Sequence, residues 1–119
     1  VLDAVPEIGC AFDTGNFAYN DESELTAYDV FRDRISFVHF KDRALQKPAE
    51  GGDELKTVGG RLLYPSPVGS GCIALDKINT RLQADGYDGD YVIEHFGTPC
   101  QLSYHRQSVQ WIREHVPQH

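Results

Sequence analysis

Three short apolar runs in this chain each close on a residue that binds divalent cations. Gly9-Cys10-Ala11-Phe12 leads into Asp13, Ile35-Ser36-Phe37-Val38 into His39, and Tyr91-Val92-Ile93 into Glu94. Runs this short and this apolar read as buried strands. In sheets whose strands alternate with helices, functional groups gather where each strand meets its following loop. Three neighbouring strands would therefore aim a carboxylate, an imidazole and a second carboxylate at one place. That pattern starts a metal site.

Helical patterns fill the gaps between the runs. Asp21-Glu22-Ser23-Glu24 has the form of a capping box, with Asp21 as the N-cap and Glu24 three positions later. Leu25, Tyr28, Phe31 and Ile35 then recur at helical spacing, and the helix must end near Arg34. A second helix is expected over 74–84, with Leu75, Ile78 and Leu82 inward and Gly86 as a left-handed stop. Thr98-Pro99 supplies an N-cap and a first-turn proline for a last helix carrying Leu102, Val109, Ile112 and Val116 on one face. The order is βαβαβα, an α/β chain with a parallel sheet and right-handed crossovers. The one long connection, 41–71, is rich in Gly and Pro. Two short strand-like runs flank Gly59-Gly60 there, so we expect a lid-like loop with a small hairpin at its tip.

Composition removes several classes of function. The chain has 119 residues, enough for one domain over 1–119. Its net charge of −7 leaves no electrostatic footprint for nucleic acid or an anionic membrane. No apolar stretch approaches the roughly 20 residues that span a bilayer, and no signal peptide opens the chain. Cys10, Cys72 and Cys100 are odd in number and contain no C-x-x-C pair, so reduced thiols and a cytoplasmic location are expected. The opening Val1-Leu2-Asp3-Ala4 has no initiator methionine, which suggests a processed terminus or a segment of a longer protein.

Taken singly, each candidate ligand has an ordinary explanation. Asp13-Thr14-Gly15-Asn16 is also a turn sequence, and a lone His39 on an apolar run is commonly a hydrogen-bonded core residue. Glu94 is harder to dismiss, because a carboxylate ending Tyr91-Val92-Ile93 is costly to bury without a cation or a metal. Lys41 lies two residues beyond His39, so strand alternation puts both on one side. It neutralises a developing anion there, grips a phosphate or carboxylate, or pairs with Asp42 or another nearby acid. Arg43 is a weaker substrate-binding candidate. His95 should point away from Glu94, toward the helices.

Five segments occur in an order that resembles a known family: Phe12-Asp13-Thr14-Gly15-Asn16, Val38-His39-Phe40-Lys41-Asp42, Val68-Gly69-Ser70-Gly71-Cys72-Ile73, Gly86-Tyr87-Asp88-Gly89 and Val92-Ile93-Glu94. They look like the carboxyl-terminal half of the xylose isomerase-like TIM barrels, the sugar phosphate isomerase/epimerase superfamily. The resemblance implies a partial (β/α)8 barrel of about three βα units, corresponding to the last three strands. It also implies that Asp13, His39 and Glu94 are three of four ligands to one divalent ion. The fourth, a glutamate that also serves as a base in the epimerases, would lie upstream of Val1. Some members carry a histidine where this chain has Asn16, which can bind a substrate hydroxyl but cannot transfer protons.

Two carboxylates and an imidazole suit Mn²⁺, Mg²⁺, Co²⁺ or Zn²⁺, with Mn²⁺ the first choice. Such an ion holds vicinal oxygens of a hydroxy-ketone and acidifies the carbon-bound proton between them. The expected function is therefore a metal-dependent sugar, polyol or sugar phosphate isomerase or epimerase working through an enediolate. Glu94 and Lys41 would be catalytic, and Asn16, Lys41 and Arg43 would bind substrate. The alternatives are a metal-dependent dehydratase or hydrolase of the same barrel family, or a non-catalytic half-barrel for binding or assembly. Three strands cannot close a barrel. Phe12, Phe37 and Val92 would then be left wet, so a homo-oligomer or a missing amino-terminal half is expected.

Overall fold

The computed structural model describes residues 4, 5 and 7–117, so the opening Val1, Leu2 and Asp3 lie outside the described residues. Strands β1 (Cys10–Asp13), β2 (Ile35–Phe40) and β6 (Tyr91–Ile93) form a parallel sheet in the order β1-β2-β6. The helices are α1 (Asn16–Tyr19), α2 (Glu24–Phe31), α3 (Leu75–Ala84) and α4 (Gln101–His115). The described chain measures 43 × 36 × 20 Å. The short axis is about what one sheet under one layer of helices requires, each layer being about 10 Å deep.

Alternation along the strands separates the two faces. Phe12, Val38 and Phe40 are fully buried on the helix side. There Phe12 meets the Tyr28 ring edge-on at 5.7 Å, and Phe40 meets Trp111 at 6.0 Å. Leu75, Ile78 and Leu82 of α3 complete this core. The expectation that Phe12 would be left wet is wrong for a simple reason. Asp13 points to the open face, so its neighbour must point to the helices. Phe37 and Val92, which share parity with His39 and Glu94, are half-buried.

Helix starts differ from the sequence expectation at α2 and α4. Ser23, not Asp21, caps α2, its hydroxyl accepting from the Leu25 and Thr26 amides at 3.2 and 3.3 Å. Asp21 sits at φ +57°, a left-handed conformation that cannot lead straight into a helix, and it accepts from the Gly59 amide at 2.6 Å. Glu24 instead accepts from the Ala74 amide ahead of α3, at 2.8 Å. The helix α4 begins at Gln101, and Thr98 accepts from the Cys100 amide. Its inner face is set by buried Tyr104 and Ser108, which leaves Leu102 65% exposed.

The 41–71 connection carries a second, antiparallel sheet. Strands β3 (Asp42–Ala44), β5 (Leu62–Ser66) and β4 (Leu55–Lys56) lie in the order β3-β5-β4. Gly59 and Gly60 occupy the hairpin turn, where Gly60 adopts φ +92° and its amide donates to Thr57 O. Val58 at the tip is exposed, but Leu63 and Pro65 are fully buried. Expected as a lid-like loop with one hairpin, the segment is a small sheet packed into the core, and β3 is the strand the sequence pattern does not announce. No helix among the described residues is long and apolar enough to cross a membrane.

Candidate metal centre

Strand register decides which residues can meet. In the parallel ladder Asp13 lies opposite His39, while Phe40 lies opposite Ile93. Glu94, one residue beyond Ile93, therefore comes level with Lys41, and its amide donates to Phe40 O at 3.1 Å. Asp13, His39 and Glu94 each offer one donor atom, and these atoms lie within 4.8 Å of one another. The His39 ring edge faces both acids: Nδ1 is 3.2 Å from Glu94 Oε2 and 3.9 Å from Asp13 Oδ2. Phe37, two residues back on the same face, packs edge-on against that ring at 5.3 Å.

Lys41 occupies the middle of the group. Its ammonium lies 3.3 Å from Asp13 Oδ2 and 3.4 Å from Glu94 Oε1, and it donates to Asn16 Oδ1 at 3.1 Å. The sequence leaves Asp42 open as its partner; the structure puts Asp42 on the opposite face. Thr14 and Gly15 hold the lysine in place. Thr14 Oγ1 accepts from the Lys41 amide at 2.9 Å and donates to Lys41 O at 2.8 Å. A Cβ on Gly15 would stand 2.9 Å from Lys41 Cγ, so only glycine lets the turn lie against that side chain. Read as a turn sequence, Asp13-Thr14-Gly15-Asn16 is thus also the cradle for Lys41.

The three acids near this face live in different surroundings. Burial pushes the Asp13 carboxyl above its ordinary range against the pull of Lys41, and the adjoining Glu94 carboxylate adds to the rise. Burial also works upward on Glu94, but hydrogen bonds to His39 and Asp13 and the charge of Lys41 hold it below its ordinary range. Asp42 accepts four backbone amides: Gly69 and Gly71 at 3.0 Å, Ile73 at 3.1 Å and Arg43 at 2.8 Å. Burial still raises its carboxyl despite those bonds. It pins the 69–73 loop against β3, which carries Arg43, a role whose only sequence signal is the pair of glycines. A Cβ on Gly71 would collide with Arg43 O.

Arg43 follows Lys41 by two residues and faces the same way. It is 5% exposed, and its Nε has no hydrogen-bond partner. Burial lowers the pKa of its guanidinium, while the charges of Asp13 and Glu94 oppose that fall. His95 turns to the helices, its Nε2 2.8 Å from Ser108 Oγ in α4. Burial, with His105 adding, depresses its pKa to about 4.

The donor set suits a divalent ion. Ligands at about 2.0–2.2 Å from a tetrahedral ion lie about 3.3–3.6 Å apart, so donors within 4.8 Å of one another would draw in by up to about 1.5 Å. Asp13, His39 and Glu94 would hold such an ion, and Lys41 lies beside the two carboxylates. The described residues thus contain a possible Asp/His/Glu metal site with a resident counter-charge.

Comparison with known proteins follows the same lines. The sequence profile of the family described as xylose isomerase-like TIM barrel matches residues 1–115. Two inosose dehydratases, from Lacticaseibacillus casei and from its strain BL23, are each 34% identical over 100 residues, covering 82% of this chain and 33% of the relative. The chain therefore spans about a third of the length of the curated relatives it matches. A crystal structure of a xylose isomerase domain protein from Planctomyces limnophilus superposes with a TM-score of 0.70 at 19% identity, over 95% of this chain and 38% of that one. That likeness concerns the fold.

Proposed function

This chain belongs to the xylose isomerase-like TIM-barrel family, and from that premise we propose that it forms part of the catalytic face of an enzyme that moves a carbon-bound proton of a ketose or keto-polyol. The observation carrying this reading is the meeting of Asp13, His39 and Glu94 at three adjacent strand ends. These residues would hold a divalent ion, Mn²⁺ by preference, whose charge would acidify the proton beside a carbonyl and stabilise the enediolate.

The protein groups have separate tasks. Glu94, the most exposed of the acids and held ionised by its neighbours, takes the proton from carbon and returns it. Asp13 is the anchoring carboxylate, fixed by the Gly15 amide at 3.0 Å. Lys41 balances the two carboxylates before substrate arrives and offsets the negative charge that develops on substrate oxygen. Asn16 orients Lys41 and offers its amide to a substrate hydroxyl.

Isomerisation or epimerisation returns that proton to carbon; dehydration expels a neighbouring hydroxyl instead. The second outcome is favoured by the 34% identity to inosose dehydratases, and both outcomes need the same first proton transfer. The strands β1 and β6 are sheet edges, and Phe37 and Val92 lie half-buried on the open face. We therefore place this chain with further strands, from the rest of a polypeptide or from copies of itself.

The test begins with Mn²⁺ binding by calorimetry, on the chain and on Asp13→Asn and Glu94→Gln. Each substitution should weaken binding at least tenfold, about 1.4 kcal/mol. Solvent-deuterium exchange into ketoses and inososes, followed by proton NMR with and without Mn²⁺, then reads the first step. An epimer or isomer identifies the first outcome and an unsaturated product the second. A chain that binds no Mn²⁺, or whose affinity ignores both substitutions, overturns the reading.

A further inference from the structure

Lys41 and Arg43 are two cations on one face, but they are not in the same condition. The three ammonium hydrogens of Lys41 are matched by Asp13 at 3.3 Å, Glu94 at 3.4 Å and Asn16 at 3.1 Å. Arg43 is equally buried and forms no ion pair among the described residues, and its Nε donates to nothing. A buried guanidinium with a spare donor is expensive unless something arrives to accept it.

Its backbone N–H and C=O are both hydrogen-bonded. The Arg43 amide donates to Asp42 Oδ1, its carbonyl accepts from the Cys72 amide at 2.7 Å, and it pairs across β3 and β5 with Pro65. The side chain therefore starts from a rigid base beside the two acids.

Asp13 and Glu94 act on Arg43 by charge alone, and neither pairs with it among the described residues.

We propose that Arg43 receives an anionic group, a carboxylate or a phosphate, carried by the ketose or keto-polyol substrate. This rests on the hydroxy-ketone reading above and names its substrate class. It assigns the anion to Arg43 and leaves Lys41 to the reacting carbons. The guanidinium fork suits either anion, because both present paired oxygens.

Three small hydroxy-ketones differ in the required feature alone: dihydroxyacetone is neutral, hydroxypyruvate carries a carboxylate, and dihydroxyacetone phosphate carries a phosphate. Their dissociation constants can be read from NMR titrations of the ¹⁵N-labelled chain, with and without Mg²⁺. At least one charged ketone should bind roughly tenfold or more tightly than dihydroxyacetone, and which one does so identifies the anion. Arg43→Gln should erase that margin and Arg43→Lys should keep part of it. If Arg43→Gln does not fold, a margin reduced severalfold in Arg43→Lys supports the proposal and an unchanged margin overturns it. Equal binding of all three ketones to the metal-loaded chain, or a margin that survives Arg43→Gln, also overturns it. Metal-dependent binding of dihydroxyacetone without any charged-ligand margin would leave the hydroxy-ketone reading standing alone. An Arg43-dependent margin with no effect of metal would do the reverse. Binding of none of the three overturns both.

Discussion

The two faces of β1, β2 and β6 are built from adjacent residues and held by opposite means. Toward the helices, Phe12, Val38 and Phe40 have no exposed surface, and ring packing with Tyr28 and Trp111 fills the space. Toward the open side, Asp13, His39, Lys41 and Glu94 are held by charge, with the Glu94 side chain 42% exposed. One face stabilises by removing apolar surface from water. The other collects charged groups at some cost to stability and depends on the first for its geometry. Stability and chemistry thus alternate residue by residue along the same strands.

The largest test of this division is Phe12→Ala. Emptying that site should cost about 3–5 kcal/mol, read as a lowered urea midpoint. The folded fraction should nevertheless keep its Mn²⁺ affinity. A proportionate loss of metal affinity would show that the two faces are coupled more tightly than alternation implies.

A smaller effect should come from His95, the first residue past the acid cluster, which turns to the helix side. Its folded pKa of about 4 lies below the ordinary 6.5 because burial disfavours the charged ring. Between pH 6.5 and 4 the unfolded chain takes up a proton that the folded chain refuses. Stability is therefore full above that window and falls as pH falls through it. Allowing for solvent screening, the change is about 1–2 kcal/mol. Urea midpoints at several pH values should show a shallower slope for His95→Gln than for the wild-type chain, and identical slopes would place the titration elsewhere.

The smallest expected effect on stability is that of Phe37→Ser, on the open face. A half-buried ring there should contribute less than about 1 kcal/mol to folding. Its larger consequence should be in association. Light scattering is expected to give a mass above the 13.3 kDa of one chain, moving toward that value in the variant. A cooperatively unfolding 13.3 kDa wild-type monomer would show that the exposed edges and open face do not drive self-association.

Much of this architecture follows from local pattern. The three strands, the helices over 24–31 and 75–84, the stop at Gly86 and the hairpin at Gly59-Gly60 depend on hydrophobic period and turn chemistry, which act within a few residues. The strand-end placement of Asp13, His39 and Glu94 follows from the same periodicity. The helix-side position of Phe12 was also implicit in the alternation, once Asp13 was placed on the opposite face.

Other features depend on residues distant in sequence, and there the tertiary structure decides. Asp42-Arg43-Ala44 has no strand signature and becomes one because β5 supplies its ladder partners. Ser23 displaces Asp21 as the cap because Asp21 is drawn to the Gly59 amide, 38 positions away. Lys41 meets Asp13 and Glu94, not its sequence neighbour Asp42, because adjacent residues on an extended chain face opposite ways while parallel register brings remote ones level. The burial that leaves Arg43 Nε without an acceptor has the same origin. Composition shows that the chain contains arginines; only packing determines that Arg43 is the one with a buried Nε lacking an acceptor among the described residues.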